Sequence, residues 1–199
     1  MLNKDTVGGT LSVALILCVV CSIVVASSAV LLRPMQQANK DLDRKTNILA
    51  AAGLLKEDVS VDSQFEGITV RAVDLDSGKF TDSVDVANYD QRKASKDPAQ
   101  SEELSTGDDL AKISRRANVA TVYIVETPDG IEKVILPIKG YGLWSTLYGF
   151  IALEGDLNTV AGLGFYEHAE TPGLGGEVDN PLWKAKWVGK KVFDNEGNT

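Results

Sequence analysis

The chain has 199 residues, of which 44% are hydrophobic and 24% charged, with a net charge of −8. That suits one compact domain with a short appendage. Residues 1–32 hold only Lys4 and Asp5 as charges, so the acidity belongs to the remainder and argues against nucleic acid or anionic lipid as the main partner. One histidine excludes a multi-histidine metal site.

Residues 1–10 read as an N-terminal tail. Leu11 to Leu32 contains no charge, and at about 1.5 Å per residue such a run spans roughly 33 Å, enough for a bilayer core. A helix is the only single segment that satisfies its own backbone there. The rival is a cleaved signal peptide, with Ala26 to Ala29 as the small-residue site, but the apolar run continues through Leu32. Cys18 and Cys21 lie inside this run, where a thiolate is costly, and read as small packing residues rather than a redox pair. Lys4 precedes the run, and Arg33, Lys40, Arg44 and Lys45 follow it. This bias predicts that the large domain faces the cytoplasm.

Residues 33–55 form a stalk or packing helix in this reading. Met35, Ala38, Leu42, Leu49 and Ala52 recur with helical spacing, and Gly53 marks the end. Residues 56–199 are the α+β domain. Ile68 to Leu75 reads as a strand, followed by a turn at Asp76-Ser77-Gly78. Asn88 to Lys112 is polar and reads as a solvated loop with a short helix near Asp108. Val119 to Val125 and Ile131 to Ile138 make a hairpin around Thr127 to Gly130. Leu147 to Leu153 and Thr159 to Tyr166 make a second pair. Pro181 to Trp187 reads as a short helix and Val188 to Asp194 as another strand. The fold expected is α+β with an antiparallel sheet behind a single N-terminal transmembrane helix.

Two glycine-bearing bends leave this sheet. One is Lys139-Gly140-Tyr141-Gly142-Leu143-Trp144. The other is His168-Ala169-Glu170-Thr171-Pro172-Gly173-Leu174-Gly175-Gly176-Glu177. Glu126-Thr127-Pro128 shows that the tripeptide alone signals only a turn; the Gly-Leu-Gly-Gly continuation sets the later copy apart. If adjacent strands bring the bends together, they outline a slot for a planar heteroaromatic. Tyr141, Trp144 and Leu174 would then give apolar contact, and backbone N–H groups would face ring heteroatoms. The same residues could instead close a core, with Trp144 a buried plug. Glu170 reads as a turn cap in preference to a ligand-polarising group, and His168 as a surface or strand-end histidine in preference to an acid–base group. No catalytic triad, paired catalytic carboxylates, Walker loop or dinucleotide-binding Gly pattern is present.

Several longer motifs are recognisable. They are Ala87-Asn88-Tyr89-Asp90-Gln91-Arg92-Lys93, Arg115-Arg116-Ala117-Asn118-Val119, Gly142-Leu143-Trp144-Ser145, Glu170 to Glu177 and Trp187-Val188-Gly189-Lys190-Lys191. In this order they resemble the C subunit of the bacterial sodium-translocating NADH:quinone reductase. The Glu-Thr-Pro-Gly-Leu-Gly piece is also similar to the G subunit of the Rnf complex. The resemblance implies an FMN-binding domain in the periplasm, against the charge bias, on one helix in the bacterial inner membrane. It implies a one-electron relay, with five other subunits, in a complex that oxidises NADH, reduces ubiquinone and exports sodium. Together with the slot outlined by the two bends, it makes Tyr141, Gly142, Leu143, Trp144, Ser145, Glu170, Thr171, Pro172, Gly173, Leu174 and Gly175 the expected FMN-binding residues. Family members tether FMN through a threonine in a Ser-Gly-Ala-Thr-type motif, which residues 1–199 lack. The expectation is therefore a fragment or truncated product with an incomplete FMN domain. A flavin-free scaffold, or an Rnf-type electron-transport protein, is the alternative.

Overall fold

The computed structural model describes residues 6–194 and Gly197. The chain divides after Asp43 into two compact units. One helix, α1 (Val7–Ala51), is long and apolar enough to cross a membrane, and none of its most apolar window is buried. Cys18 and Cys21 are unbonded on that exposed stretch. The helix runs through Pro34 rather than restarting after it. A proline inside a helix removes one hydrogen bond and crowds the preceding turn. The strong helix formers around it, Leu31-Leu32-Arg33 and Met35-Gln36-Gln37-Ala38, carry the pattern across the gap.

The second unit starts at Arg44. The helix ends on Gly53, whose φ of 68° lets Leu54 N–H reach back to Leu49 O at 2.8 Å and Gly53 N–H to Ala50 O. This left-handed cap is open to glycine without steric penalty. Ile48, Leu49, Ala51 and Ala52 are buried against the sheet, where they meet Ile68, Tyr123, Ile135, Phe150 and Ala152. The aromatic rings of Phe65, Tyr123, Phe150 and Tyr166 form a chain of edge and stacked contacts, with centroids 5.2–6.1 Å apart. α2 (Val61–Phe65) supplies the first of these rings from a turn capped by Ser60.

Six antiparallel strands form the sheet, in the order β2-β1-β5-β6-β7-β8. They are β1 (Ile68–Asp74), β2 (Lys79–Phe80), β5 (Val119–Thr127), β6 (Gly130–Tyr141), β7 (Thr146–Glu154) and β8 (Val160–Glu167). β3 (Ser101–Glu103) and β4 (Arg115–Ala117) pair separately. The expected strand at 68–75, both hairpins and the turn at 76–78 are present. β6 is longer than the sequence suggests. Lys139, Gly140 and Tyr141 stay in register with Tyr148, Leu147 and Thr146, which confines the first bend to residues 142–145.

The polar segment 88–112 is fastened down. α3 (Gln91–Ala94) is capped by Asp90, whose carboxylate accepts the N–H groups of Arg92 and Lys93. Residues 105–109 form turns in place of the helix expected near Asp108. The Asp109 carboxylate accepts the N–H groups of Ile113 and Ser114. A side chain thus satisfies the backbone donors that a continuing helix would otherwise have used. α4 (Pro181–Lys184) follows an Asn180 cap, and the rings of Trp183 and Trp187 lie 5.6 Å apart. Residues 188–194 make one bridge, Thr159 to Lys191, and no longer strand. Backbone bonds tie the segment to residues 158–160, from Gly189 N–H to Val160 O, Val160 N–H to Lys190 O and Val192 N–H to Asn158 O. Gly189 has a φ of 81°, and the Asn158 side chain takes up the N–H and the C=O of Phe193, so the pairing stops at this bridge.

Candidate functional site

The ends of β6 and β8 and the start of β7 lie at one rim of the sheet, because Tyr141 pairs with Thr146 and Tyr148 with Glu167. Both bends therefore start from the same place. The first closes on itself, with Gly142 N–H donating to Ser145 O at 2.8 Å. The second turns at Thr171, whose carbonyl accepts from Leu174 N–H at 3.1 Å and Gly176 N–H at 3.0 Å, and runs into a 3-10 turn at Gly175–Asp179.

Glu170 joins them. Its side chain crosses to the first bend, where Oε1 accepts the N–H groups of Trp144 at 3.1 Å and Ser145 at 3.4 Å. The residue is only 9% exposed. Ser145 returns the contact: its Oγ accepts Ala169 N–H at 2.7 Å. The carboxylate also fills the space beside two glycines. A Cβ at Gly142 would overlap Oε1, and one at Gly175 would lie 2.7 Å from Oε2. Real Cβ atoms do not come so near, so the two backbones close on the same carboxylate. Hydrogen bonds to an ionised acceptor are stronger than neutral ones, which makes this a firm joint between the loops.

The joint leaves apolar side chains outside. Trp144 is 65% exposed and Leu174 73% exposed, and Leu143 and Tyr141 are exposed as well. Trp144 is thus no buried plug. Aromatic and aliphatic surface is displayed on backbone that is already hydrogen-bonded, which is the chemistry a flat, largely apolar ring requires. A third segment touches the rim. Tyr141 N–H donates to Ala111 O at 2.8 Å, in a stretch where Lys112 and Ser114 hold left-handed φ values of 52° and 61°.

Residues 142–199 match the FMN-binding domain family. The C subunit of the Na(+)-translocating NADH-quinone reductase of Pseudomonas aeruginosa is 54% identical over 202 residues, covering 100% of this chain and 77% of that protein. Its counterpart in Vibrio campbellii is 50% identical, covering 96% of this chain and 76% of its own. The chain belongs to the NqrC family, the C subunits of the Na+-translocating NADH-quinone reductase. Solved structures agree. The crystal structure of Shewanella oneidensis NqrC superposes with a TM-score of 0.70 at 37% identity, covering 79% of this chain and 72% of that one. The same reductase subunit from Parabacteroides distasonis gives 0.64 at 25% identity, covering 84% and 73%.

Within this NqrC-family chain, the structure brings together the two bends that carry Tyr141 to Ser145 and Glu170 to Gly175. It places the Glu170 carboxylate on the first bend's backbone, the turn-holding role expected from sequence. Thr171 contributes through its carbonyl, which makes the second turn.

Two further groups at this rim were not evident from sequence. Arg92 grips Glu167, the last residue of β8, through a two-pronged ion pair at 2.7 and 2.8 Å, and its guanidinium lies 3.6 Å from the Tyr148 ring centroid. The Glu167 carboxylate raises the Arg92 pKa further above its ordinary value. The motifs at 88–93 and 115–119 thus act as fasteners: Tyr89 O–H donates to Val119 O, and Arg115 donates to the Oγ and O of Ser101. Lys139 donates to Arg115 O at 3.1 Å, and burial pushes its pKa below the usual lysine range. A charge run on a loop and a lysine at the start of a bend gave no sign of these partners, which lie 75 and 24 residues away in sequence.

Proposed function

We propose that this chain is the flavin-carrying, one-electron relay of a sodium-translocating NADH:ubiquinone reductase. Membership of the NqrC family and the match of residues 142–199 to the FMN-binding domain support the reading. The observation that carries it is the Glu170 joint, which turns two separate bends into one rim with Trp144 and Leu174 displayed beside it.

Bound FMN would supply the redox chemistry; the chain supplies its position and surroundings. Trp144, Leu143, Tyr141 and Leu174 offer apolar contact to the ring faces. The turns at 142–145 and 171–176 hold the backbone that approaches the ring. Glu170 uses its acceptors on this scaffold, so it positions the bends rather than touching the ring. Ser145, Thr171, Pro172, Gly173 and Gly175 complete the wall. Covalent tethering through a threonine of the Ser-Gly-Ala-Thr type would need a motif that residues 1–199 do not contain.

In this reading α1 anchors the chain in the inner membrane, the unit that begins at Arg44 lies in the periplasm, and five other subunits complete the complex. Protease added to sealed spheroplasts tests the orientation: digestion before lysis supports it, and digestion only after lysis overturns it. The function is tested on protein purified from cells competent in flavin transfer. Flavin absorbance in the native protein, and fluorescence in its denatured gel band if the tether is made, supports the carrier role. A native protein free of flavin overturns it and leaves the scaffold reading.

A further inference from the structure

His168 opens the second bend, and its side chain is only 13% exposed. Both ring nitrogens are engaged. Nδ1 lies 3.2 Å from the Glu170 amide nitrogen, and Nε2 lies 2.8 Å from Asp179 Oδ2. A backbone amide only donates, so Nδ1 must present its lone pair. A neutral imidazole then carries its proton on Nε2, aimed at the Asp179 carboxylate. One ring thereby links the end of β8, the backbone of Glu170 and the 3-10 turn that closes the second bend.

The charged groups around the ring are few. Asp179 faces it from the 3-10 turn, and Lys184 of α4 approaches the other Asp179 oxygen at 3.8 Å. Glu167, the neighbour in β8, is turned to Arg92. Glu170 meets the ring through its N–H alone, since its carboxylate is on the first bend. Ser145 of that bend holds Ala169, the residue between them.

We propose that His168, as the neutral imidazole with its proton on Nε2, is a positioning residue that fixes the Glu170 backbone and through it the Trp144 turn. The inference rests on the reading that these two bends form the flavin rim. Removing the Nδ1 acceptor leaves the Glu170 N–H without a partner while the fold itself stays intact. The amides of Trp144 and Ser145, which hang on the Glu170 carboxylate, lose protection as a result.

The test uses the full chain in detergent, without flavin, and reads amide exchange at Trp144 and Ser145 relative to the unstructured rate at one fixed pH. Ile135, which is fully buried, reports global stability. His168→Asn places an amide oxygen near the Nδ1 position and leaves the turn as protected as in the wild type. His168→Gln reaches Asp179 but leaves Glu170 N–H without an acceptor, so protection at Trp144 and Ser145 falls about tenfold while Ile135 holds. If His168 were only a space-filling group, the larger Gln would rescue and Asn would not; that order overturns the proposal. So does a parallel loss at Ile135, or an imidazole nitrogen spectrum of the wild type showing the proton on Nδ1. None of these readings needs flavin, so their failure leaves the carrier function standing, and a flavin-free protein leaves this result standing.

Discussion

Replacing Glu170 with alanine removes the joint between the bends. The carboxylate accepts from Trp144 N–H at 3.1 Å and from Ser145 N–H at 3.4 Å, and both contacts are part-buried. A hydrogen bond to a charged group contributes about 1.5–3 kcal/mol, and the longer bond less, so an enclosed site would lose about 2–4 kcal/mol. Water reaches the exposed bend and restores part of this, which sets the expected loss near about 2 kcal/mol. That is about a 30-fold fall in amide protection at Trp144 and Ser145. Glu170→Gln keeps one acceptor oxygen without the charge and loses about half as much, roughly a fivefold fall. The assay is residue-resolved amide exchange on the full chain in detergent, with Ile135 as the internal reference. A fall of less than about threefold in the alanine variant would refute the reasoning, because the turn would then be held by its Gly142–Ser145 bond and the Ser145–Ala169 contact without the carboxylate.

Three other outcomes test the same structure. Gly162→Ala should lower stability by about 3 kcal/mol in urea titration, since its Cβ would overlap the Ala51 carbonyl oxygen and backbone does not yield as a side chain does; an unchanged midpoint would mean the helix end is not seated on β8. Arg92→Ala should remove about 1–2 kcal/mol, the sum of a half-exposed ion pair with Glu167 and a cation–π contact with Tyr148, and the Glu167→Gln variant should account for less than half of it. The Asp156 carboxyl is drawn down to about 2 by hydrogen bonds from the Thr159 side chain and from backbone at the β7–β8 turn. Its folded value lies below its unfolded one, so its contribution is present above about pH 4 and is lost as pH falls toward about pH 2; Asp156→Ala should flatten that part of the stability profile.

Much of the sheet can be read along the chain because its strands are local patterns. Val119 to Val125 is β-branched and aromatic, and Pro128-Asp129-Gly130 turns it back on itself. The helix end at Gly53 is equally local. Other features depend on partners distant in sequence. Lys139 to Tyr141 look like a loop from their glycine, yet they stay in register with Tyr148, Leu147 and Thr146 of β7, and Tyr141 N–H finds Ala111 O. Residues 188–194 look like a strand, yet Asn158 takes up the backbone groups of Phe193. Pro34 lies inside α1, where one lost hydrogen bond does not end a helix whose flanks favour it.

The site shows the same division. Glycines marked both bends, with Trp144 in the first and Pro172 in the second, because unusual backbone has visible residue types; that Trp144 stands exposed and is not a buried plug did not show. What binds the bends together did not show. Glu170 reaches across 26 residues to Trp144, and Arg92 across 75 to Glu167, and no spacing rule encodes either. The role of His168 depends on two ring nitrogens facing different elements, which a lone histidine in a sequence does not reveal.

The central claim is that the two bends form one surface for the flavin ring. Titrating FMN into the detergent-solubilised chain while following backbone amide resonances tests it most directly. Leu143, Trp144, Ser145, Leu174 and Gly175 should shift together along one binding curve. Shifts that leave either bend untouched, or that fall instead among residues 88–100 around the α3 cap, would contradict it.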